Sequence, residues 1–261
     1  MKQAIKIDDD VRGVLNAATV DGTILRLNGQ LDRGLYTRTN KALEALGGKW
    51  NRGKGGHVFA TDPRAVIAAA AEDGKVAHPN PHDFFRTSRP VAQMACARLA
   101  MGDGWKRTLE PSAGEGDLVA PLVEHYGFPS ADALVLVEKD AKRIVALAAG
   151  PLEPYIAAAD FLALDPLVFR PFDRILMNPP FERGSDAKHI AHALHFLAPG
   201  GRLVAIASAG MKGRGDKVTS VLRSRIEAWG GEIEDLPEGS FKHAGTNVAT
   251  VLVTCDKPEA A

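Results

Sequence analysis

The sequence of 261 residues predicts an α/β protein whose larger part is a mostly parallel sheet with helices on both faces. From about residue 107, short apolar runs typical of strands alternate with longer stretches typical of helices. Strands that are separated by helices pair in parallel and are covered on both faces. The predicted strands are 107–110, 133–138, 155–160, 172–177, 202–208, 232–236 and 248–254, and the predicted helices are 117–126, 141–149, 186–198 and 216–229.

Composition is that of a soluble globular protein, with 45% hydrophobic and 25% charged residues. Lys+Arg and Asp+Glu number 32 each, so the net charge gives no general reason to expect nucleic acid, and any basic surface is local. We expect no membrane segment and no signal peptide, because no apolar run approaches 18 residues. Cys96 and Cys255 lie in apolar surroundings, which predicts reduced core thiols and a cytoplasmic protein.

The most specific motif is Asn178-Pro179-Pro180-Phe181, which directly follows the predicted strand 172–177. Two prolines cannot donate to a sheet, so the strand ends there, and the residue before a proline is held in extended form. The Asn178 amide oxygen and the Pro179 carbonyl can each accept one N–H group, while the Phe181 ring can lie flat on a planar ligand. The motif therefore predicts a binding site for an exocyclic amino group.

A glycine-rich turn, Glu110-Pro-Ser-Ala-Gly-Glu-Gly, follows the first of these strands. Gly114 and Gly116 allow the backbone to pass close to a ligand between a strand and a helix. The dinucleotide pattern G-x-G-x-x-G is incomplete because Val119 holds its third position, which argues against a nicotinamide cofactor. Ligands of such sheets bind at the carboxyl ends of the strands, where this turn lies.

Two acidic residues end the next two predicted strands at the same edge. Glu138 follows Gly114 by 24 residues, at a place where an acidic group can bind both ribose hydroxyls. Asp160 can accept from an adenine amino group. The alternatives are a solvated carboxylate for Glu138 and a helix or turn cap for Asp160.

Over about residues 84–254 the chain resembles the N6-adenine DNA methyltransferases, a family that depends on S-adenosylmethionine (SAM) and has the class I, Rossmann-like fold. The glycine turn resembles motif I and Asn178–Phe181 the catalytic motif IV. Phe85-Arg86-Thr87, before a helix opened by Pro90, resembles motif X, although Ser88 stands where the family has proline. Residues 241–246 resemble motif VIII, whose aromatic residue, here Phe241, packs on the target base. The implied SAM-binding residues are Thr87, Glu110, Pro111, Ser112, Ala113, Gly114, Gly116, Glu138, Asp160, Phe161 and Asn178.

The resemblance implies that the target adenine leaves the duplex and stacks on Phe181. Its amino nitrogen is a poor nucleophile because its lone pair is delocalised into the ring. Two acceptors would hold both N–H groups and direct the lone pair at the methyl group, so orientation and preorganised electrostatics supply the acceleration without a strong base. Pro180 completes the rigid motif.

Three alternatives remain open on the sequence. Enzymes that methylate guanine N2 in RNA, or a glutamine in protein, share the pattern N-P-P-(F/Y). A third alternative is a nucleic-acid-binding protein whose methyltransferase fold has lost its chemistry, although intact motifs I and IV argue against it. A basic N-terminal module and the motif X segment favour DNA.

No metal is expected, although His189, His192 and His195 stand three residues apart on one predicted helix. Apolar neighbours such as Ile190 define the buried face, and the histidines are predicted to lie mainly opposite it. The loop 210–217 is glycine-rich and basic, and we interpret its Lys212 and Arg214 either as contacts to a DNA backbone or as parts of a solvated loop.

Residues 1–77 are predicted to form a small basic α+β module, followed by a linker at 78–83 and the methyltransferase domain at 84–258. Its predicted elements are a strand 23–27, a helix 36–46, a strand 57–60 and a short helix opened by Pro63. The segment 48–54 is predicted to be an exposed turn, whose Lys49, Trp50 and Arg52 suit a phosphate backbone or a minor groove. The alternative is a solvated hairpin with Trp50 packed inward. Because seven residues follow Thr254, we expect target recognition to fall on this module and on loops of the catalytic domain.

Overall fold

The structure, a computed structural model, describes residues 4–76, 85–152, 155–242 and 248–259. The chain divides into two compact units, residues 1–83 and 84–261, each with its own hydrophobic core. The predicted linker 78–83 lies outside the described residues, as do residues 243–246 of the segment that resembles motif VIII.

The N-terminal unit combines helices with an antiparallel sheet in the strand order β2-β3-β5-β4, and a second, two-stranded pairing joins β1 to β6. Two of its helices begin at aspartates, Asp8 and Asp32, whose carboxylates accept backbone N–H groups of the first turn. Its elements are β1 (Ile5–Lys6), α1 (Asp9–Ala17), β2 (Thr19–Asp21), β3 (Ile24–Arg26), α2 (Arg33–Ala45), β4 (Lys49–Asn51), β5 (Gly56–Val58), α3 (Arg64–Asp73) and β6 (Lys75–Val76).

The segment 48–54 differs from the predicted exposed turn. Lys49–Asn51 is the edge strand β4, paired with β5 so that Trp50 stands opposite His57. Only the following residues turn, where the Asn51 side chain accepts from the Lys54 amide and Gly55 has a φ of +61°. The sequence pattern does not reveal this strand, because Trp50 is its one apolar residue and a single apolar residue shows no alternation.

The C-terminal unit is built on a seven-stranded sheet in the order β12-β13-β11-β10-β7-β8-β9, counted over the described residues. All neighbouring strands from β11 to β9 are parallel, while β13 runs antiparallel to both β11 and β12. Its elements are α4 (Arg89–Arg98), β7 (Thr108–Glu110), α5 (Ala120–Tyr126), β8 (Leu134–Glu138), α6 (Ala141–Ala148), β9 (Ile156–Ala158), β10 (Phe172–Met177), α7 (Ser185–Ala193), β11 (Leu197–Ser208), α8 (Lys217–Ala228), β12 (Glu232–Asp235) and β13 (Thr250–Asp256).

Both faces of this sheet are covered, as the sequence predicted. In β10, Ile175 and Met177 belong to one core together with residues of α7 and α8, whereas Leu176 belongs to a second core with residues of α4. Successive side chains of a strand point to opposite faces, so a strand that is apolar throughout fits between two layers of helices.

Two predicted helix boundaries shift for identifiable reasons. Helix α5 begins at Ala120 instead of residue 117, because Gly114 and Gly116 take left-handed φ values of +59° and +83° and the chain needs further residues to turn. Helix α7 ends at Ala193 instead of residue 198, because the Phe196 carbonyl already accepts from the Phe172 amide at the start of β10.

No helix in the described part of the chain combines the length and the apolar composition that a membrane crossing requires.

Candidate active site

The predicted site residues of the C-terminal unit meet at the carboxyl edge of its sheet. Glu110 ends β7 and Glu138 ends β8, and in the parallel register Glu110 pairs with Leu136 and Glu138 with Ala158 of β9. Asn178 follows the last residue of β10, which neighbours β7 on its other side. The sheet order thus brings together motifs that are as far as 68 residues apart, from 110 to 178.

Glu138 holds the glycine turn against the end of β8. Its Oε2 accepts from the Gly114 amide at 2.8 Å, and its Oε1 accepts from the amides of Lys139 and Asp140 at 2.9 and 2.8 Å. The side chain is 7% exposed, so these donors compensate its burial. A ribose-binding role remains a prediction, and any diol would join a carboxylate that is already preorganised.

Glu110 is the contrasting case, a buried carboxylate with one oxygen, Oε2, that accepts no hydrogen bond from the described residues. It is 1% exposed, and no donor in the described part of the chain reaches its Oε2. Burial raises the pKa of Glu110 well above its usual range, and the nearby charges of Asp117 and Glu138 raise that pKa further. Such an atom is costly unless a ligand supplies the missing partner.

A small pocket opens where this carboxylate meets the segment before α4. Beside it, the Arg86 guanidinium donates to both oxygens of Asp117 at 2.8 and 2.6 Å and lies 3.1 Å from a Glu115 oxygen. No local sequence pattern indicates this contact, which joins residues 31 positions apart. The pocket is lined by Phe85, Thr87, Glu110, Ser112, Ala113, Glu115, Asp117, Leu118 and Asn178, while Pro111 is buried within the turn.

The Asn178 amide has a fixed orientation. Its Nδ2 donates to the Phe85 carbonyl at 3.2 Å and to the Thr87 hydroxyl at 3.0 Å. Because a carbonyl only accepts, the NH₂ group must face Phe85, and the amide oxygen faces the other way. No donor among the described residues occupies that oxygen. The site thus presents an outward acceptor directly before the buried Pro179 and the half-buried Pro180.

Phe181 is half-buried and meets the edge of Phe241, with ring centroids 6.2 Å apart and planes at 83°. Phe241 itself is 1% exposed, so it supports Phe181 from within the core. A direct contact of Phe241 with a target base remains a prediction; the observed packing fixes the position of the Phe181 ring.

Asp160 and Phe161 follow β9 and differ in their exposure. Asp160 is exposed; one oxygen accepts from the Leu162 amide at 3.1 Å and the other lies 3.3 Å from the Lys139 ammonium. Phe161 is 3% exposed and packs among the rings of α7. Asp160 is therefore accessible to a ligand, whereas Phe161 reaches one only through its backbone or a shift of its ring.

The prediction that the histidines of α7 lie away from the buried face is wrong for His189, which is 5% exposed and stacks on Phe161. Its Nδ1 lies 2.8 Å from the Ser185 carbonyl, and burial lowers its pKa. His192 is half-buried and only His195 is exposed. In the described residues no group of three or more His, Cys, Asp or Glu side chains is arranged to hold a metal ion.

Both cations predicted to contact DNA from the loop 210–217 have acidic partners. The Lys212 ammonium lies 2.7 Å from Asp235, and the Arg214 guanidinium lies 2.8 Å from the buried Asp186. A DNA contact remains a prediction for both. For Arg214 it would compete with an internal ion pair.

The hairpin formed by β4 and β5 carries Lys49, Arg52 and Lys54 and exposes its aromatic residue, Trp50. Trp50 is 51% exposed and meets the buried His57 edge-on, with ring centroids 5.3 Å apart. Within the described residues, no acidic group pairs with Lys49, Arg52 or Lys54. The alternative of an inward-packed Trp50 is thus wrong, and the three cations are free to meet an anionic partner.

No protein-family model matches the chain, and a comparison with the curated proteins also finds no match. Solved structures do match, and they confirm the predicted fold class: the seven-stranded sheet with its flanking helices is the Rossmann-like fold of class I methyltransferases.

Three similar structures show the likeness. A putative class I SAM-dependent methyltransferase from Listeria monocytogenes matches with a TM-score of 0.53 at 15% identity, over 76% of this chain and 67% of its own. A type I restriction-modification methyltransferase subunit from Streptococcus thermophilus matches with 0.56 at 19%, over 67% and 45%. A modification subunit of a putative type I restriction enzyme from Vibrio vulnificus matches with 0.55 at 17%, over 89% and 52%. The matches thus span about half the length of the two restriction subunits.

We expect Gly116→Ala to destabilise the protein by about 1–2 kcal/mol, because the φ of +83° disfavours any side chain and a Cβ would lie 2.7 Å from Leu152 Cδ1. Gly104→Ala is the matched control, since nothing lies within 4 Å of its Cβ position and it has no positive φ. Urea denaturation measures both variants. Equal stability of the two would contradict the strained geometry of the turn.

Proposed function

We propose that the chain transfers a methyl group from SAM to the N6 amine of adenine in DNA, and that the small pocket between Glu110 and Asn178 receives the ammonium end of the cofactor. The observation that carries this proposal is the fixed Asn178 amide, whose oxygen has no donor in the described residues and lies at the edge of a pocket that also contains a carboxylate oxygen, Glu110 Oε2, without a donor in those residues. The Asn178 amide oxygen suits an amine that is to be methylated, and the Glu110 carboxylate suits a cationic cofactor.

The residues present fit SAM. Its methionine part carries an ammonium group and its sulfonium a second positive charge, and Glu110 lies near two further carboxylates, those of Asp117 and Glu138. Only Glu110 among them has a buried oxygen without a donor in the described residues. An ammonium group would supply that donor and compensate the buried charge. Asp160, exposed at the end of β9, is placed to accept from an adenine amine.

SAM supplies an electrophilic methyl group, and the residues of this chain orient the amine that receives it. The Asn178 amide oxygen accepts one amino N–H and the Pro179 carbonyl the other, which turns the nitrogen lone pair toward the methyl group. Thr87 keeps the amide from rotating. Since both acceptors are fixed before the reaction, they stabilise the developing charge on nitrogen without reorganisation. After the transfer S-adenosylhomocysteine would leave with a neutral thioether sulfur, and the methylated amine would release its proton to water.

Two further features favour DNA as the substrate. The similar structures include subunits of restriction–modification systems. The N-terminal unit carries an exposed indole beside cations without acidic partners in the described residues, a combination suited to a phosphate backbone and unpaired bases.

Incubation with tritiated SAM, followed by digestion to nucleosides and amino acids, tests the substrate. Unmethylated DNA, bulk RNA and protein extract are offered in parallel. We expect the label in N6-methyldeoxyadenosine. Label in N2-methylguanosine or methylglutamine would refute the DNA proposal, and absence of SAM binding would support an inactive nucleic-acid-binding protein instead.

For Asn178→Ala we expect turnover to fall by about 10²-fold or more, while SAM affinity stays near that of the wild type, because one of two preorganised acceptors is lost. Single-turnover kinetics and calorimetric SAM binding separate the two effects. Thr87→Val is the companion variant, since it removes the hydroxyl that orients the amide and should produce a smaller loss of the same kind. Wild-type turnover in Asn178→Ala would refute the mechanism.

We expect SAM affinity to increase as the pH rises through the raised pKa of Glu110 and then to level off. Protonated Glu110 is neutral and attracts an ammonium group weakly, whereas the carboxylate that forms at higher pH pairs with it. Below that pKa, binding therefore releases a proton. Calorimetry in two buffers of different ionisation enthalpy measures this release. Glu110→Gln should bind more weakly and show a flat profile over the same range; an equal pH dependence in both proteins would remove Glu110 from the cofactor site.

Replacing Lys49 and Arg52 by glutamine and Trp50 by alanine should weaken DNA binding and reduce the slope of log K against log salt by about 0.7–0.9 for each cation that contacts a phosphate. Arg64→Gln is the control, because Arg64 is exposed but already paired with Asp62. An unchanged slope in the triple variant would show that this hairpin does not bind DNA.

A further inference from the structure

The segment between the motif Asn178–Phe181 and helix α7 has an unusual backbone. Arg183 (φ +49°, ψ +36°) and Gly184 (φ +76°, ψ +21°) are consecutive left-handed residues. Arg183 and Ala100 are the non-glycine residues with positive φ in the described ranges. A left-handed arginine is unfavourable by itself and persists only where its surroundings impose it.

The constraint lies at Asp186, five residues after Phe181. Asp186 is fully buried, and its Oδ2 accepts from both the amide and the hydroxyl of Ser208, at 3.0 and 2.6 Å. Its Oδ1 accepts from the Arg214 guanidinium at 2.8 Å. One carboxylate thus ties the start of α7 to the end of β11 and to the loop that follows it.

Arg214 is committed to this junction through its other atoms as well. Its Nε donates to the Thr219 hydroxyl at 3.1 Å, and its side chain is 27% exposed. Its guanidinium lies against two glycines: a Cβ at Gly184 or Gly210 would stand 3.5 or 3.6 Å from it. Side chains larger than alanine at either position would displace it.

We propose that Asp186 and Arg214 are positioning residues that hold the segment 178–186 and thereby fix Pro179 and Phe181 for the target amine. The inference rests on the proposed function. Asn178 fastens the segment to Thr87 at one end, and the Asp186–Arg214 pair fastens it at the other. Removing Arg214 leaves the buried Asp186 carboxylate without its cationic partner, so the start of α7 must move or take up water.

The competing role for Arg214 is a direct DNA contact, and salt dependence separates the two. A phosphate contact changes the Michaelis constant for DNA and its salt slope. A positioning residue changes kcat instead, since small displacements at a reacting centre cost about 10²-fold. Lys188 supplies the control, because it is an exposed cation on α7, two residues after Asp186, and takes no part in this ion pair.

The experiment compares Arg214→Met, Arg214→Lys, Asp186→Asn, the double variant Asp186→Asn/Arg214→Met and Lys188→Met. We expect Arg214→Met to lose about 10–10²-fold in kcat with SAM affinity and salt slope unchanged, and Arg214→Lys to recover part of the loss. The fold loss in kcat of the double variant should not exceed the product of the losses in Asp186→Asn and Arg214→Met, and Lys188→Met should keep the wild-type kcat. Wild-type kcat with a flatter salt slope in Arg214→Met would overturn the proposal.

Hydrogen exchange in the same variants tests whether the Asp186–Arg214 pair holds the segment 178–186, and it requires no substrate. Amides of residues 181–187 should exchange at least about tenfold faster in Arg214→Met than in the wild type, while those of β13 keep their protection. If the wild type methylates no DNA, the proposed function fails, but the exchange result still tests the junction. If Arg214→Met does not fold, Arg214→Lys carries the same comparison. Unchanged exchange at residues 181–187 in a folded variant would refute the positioning role of Asp186 and Arg214.

Discussion

The site depends on one interaction, the pair of hydrogen bonds that fix the Asn178 amide. The Phe85 carbonyl and the Thr87 hydroxyl take both donors of its NH₂ group, so the acceptor oxygen is directed away from them. The segment that carries Phe85 and Thr87 is held in turn by the Arg86 bond to Asp117 in the glycine turn. The orientation of the proposed catalytic group and the wall of the proposed cofactor pocket therefore come from the same short segment.

Three buried carboxylates differ in the hydrogen-bond donors that reach them, and their roles differ accordingly. Glu138 accepts three backbone amides, and Asp186 accepts from Ser208 and Arg214, so both are fully compensated and serve to hold loops at the edge of the sheet. Glu110 lacks a donor for one oxygen in the described residues and has a raised pKa. Glu138 and Asp186 hold loops at the edge of the sheet, whereas the Oε2 of Glu110 is available to the ammonium group of the proposed cofactor.

The strand and helix pattern predicted the sheet, its two covered faces and the edge where Glu110, Glu138 and Asn178 meet, because each depends on local periodicity and on the rule that ligands bind at strand ends. Contacts between distant positions were not predictable. Arg86 and Asp117 are separated by 31 residues and Asp186 and Arg214 by 28, and neither pair forms a local pattern. The burial of His189 was missed for a related reason: the rings of Phe161 and His189 stack across two elements that only the fold brings together.

A crystal structure with S-adenosylhomocysteine and a short DNA duplex containing an unpaired adenine would show whether Asn178 and Pro179 hold the target amine. We expect the Asn178 Oδ1 and the Pro179 carbonyl oxygen each to lie about 3 Å from the adenine amino nitrogen, with the Thr87 hydroxyl still bonded to the Asn178 Nδ2. An Asn178 amide turned so that its NH₂ group faces the base, or an adenine bound away from Phe181, would contradict it.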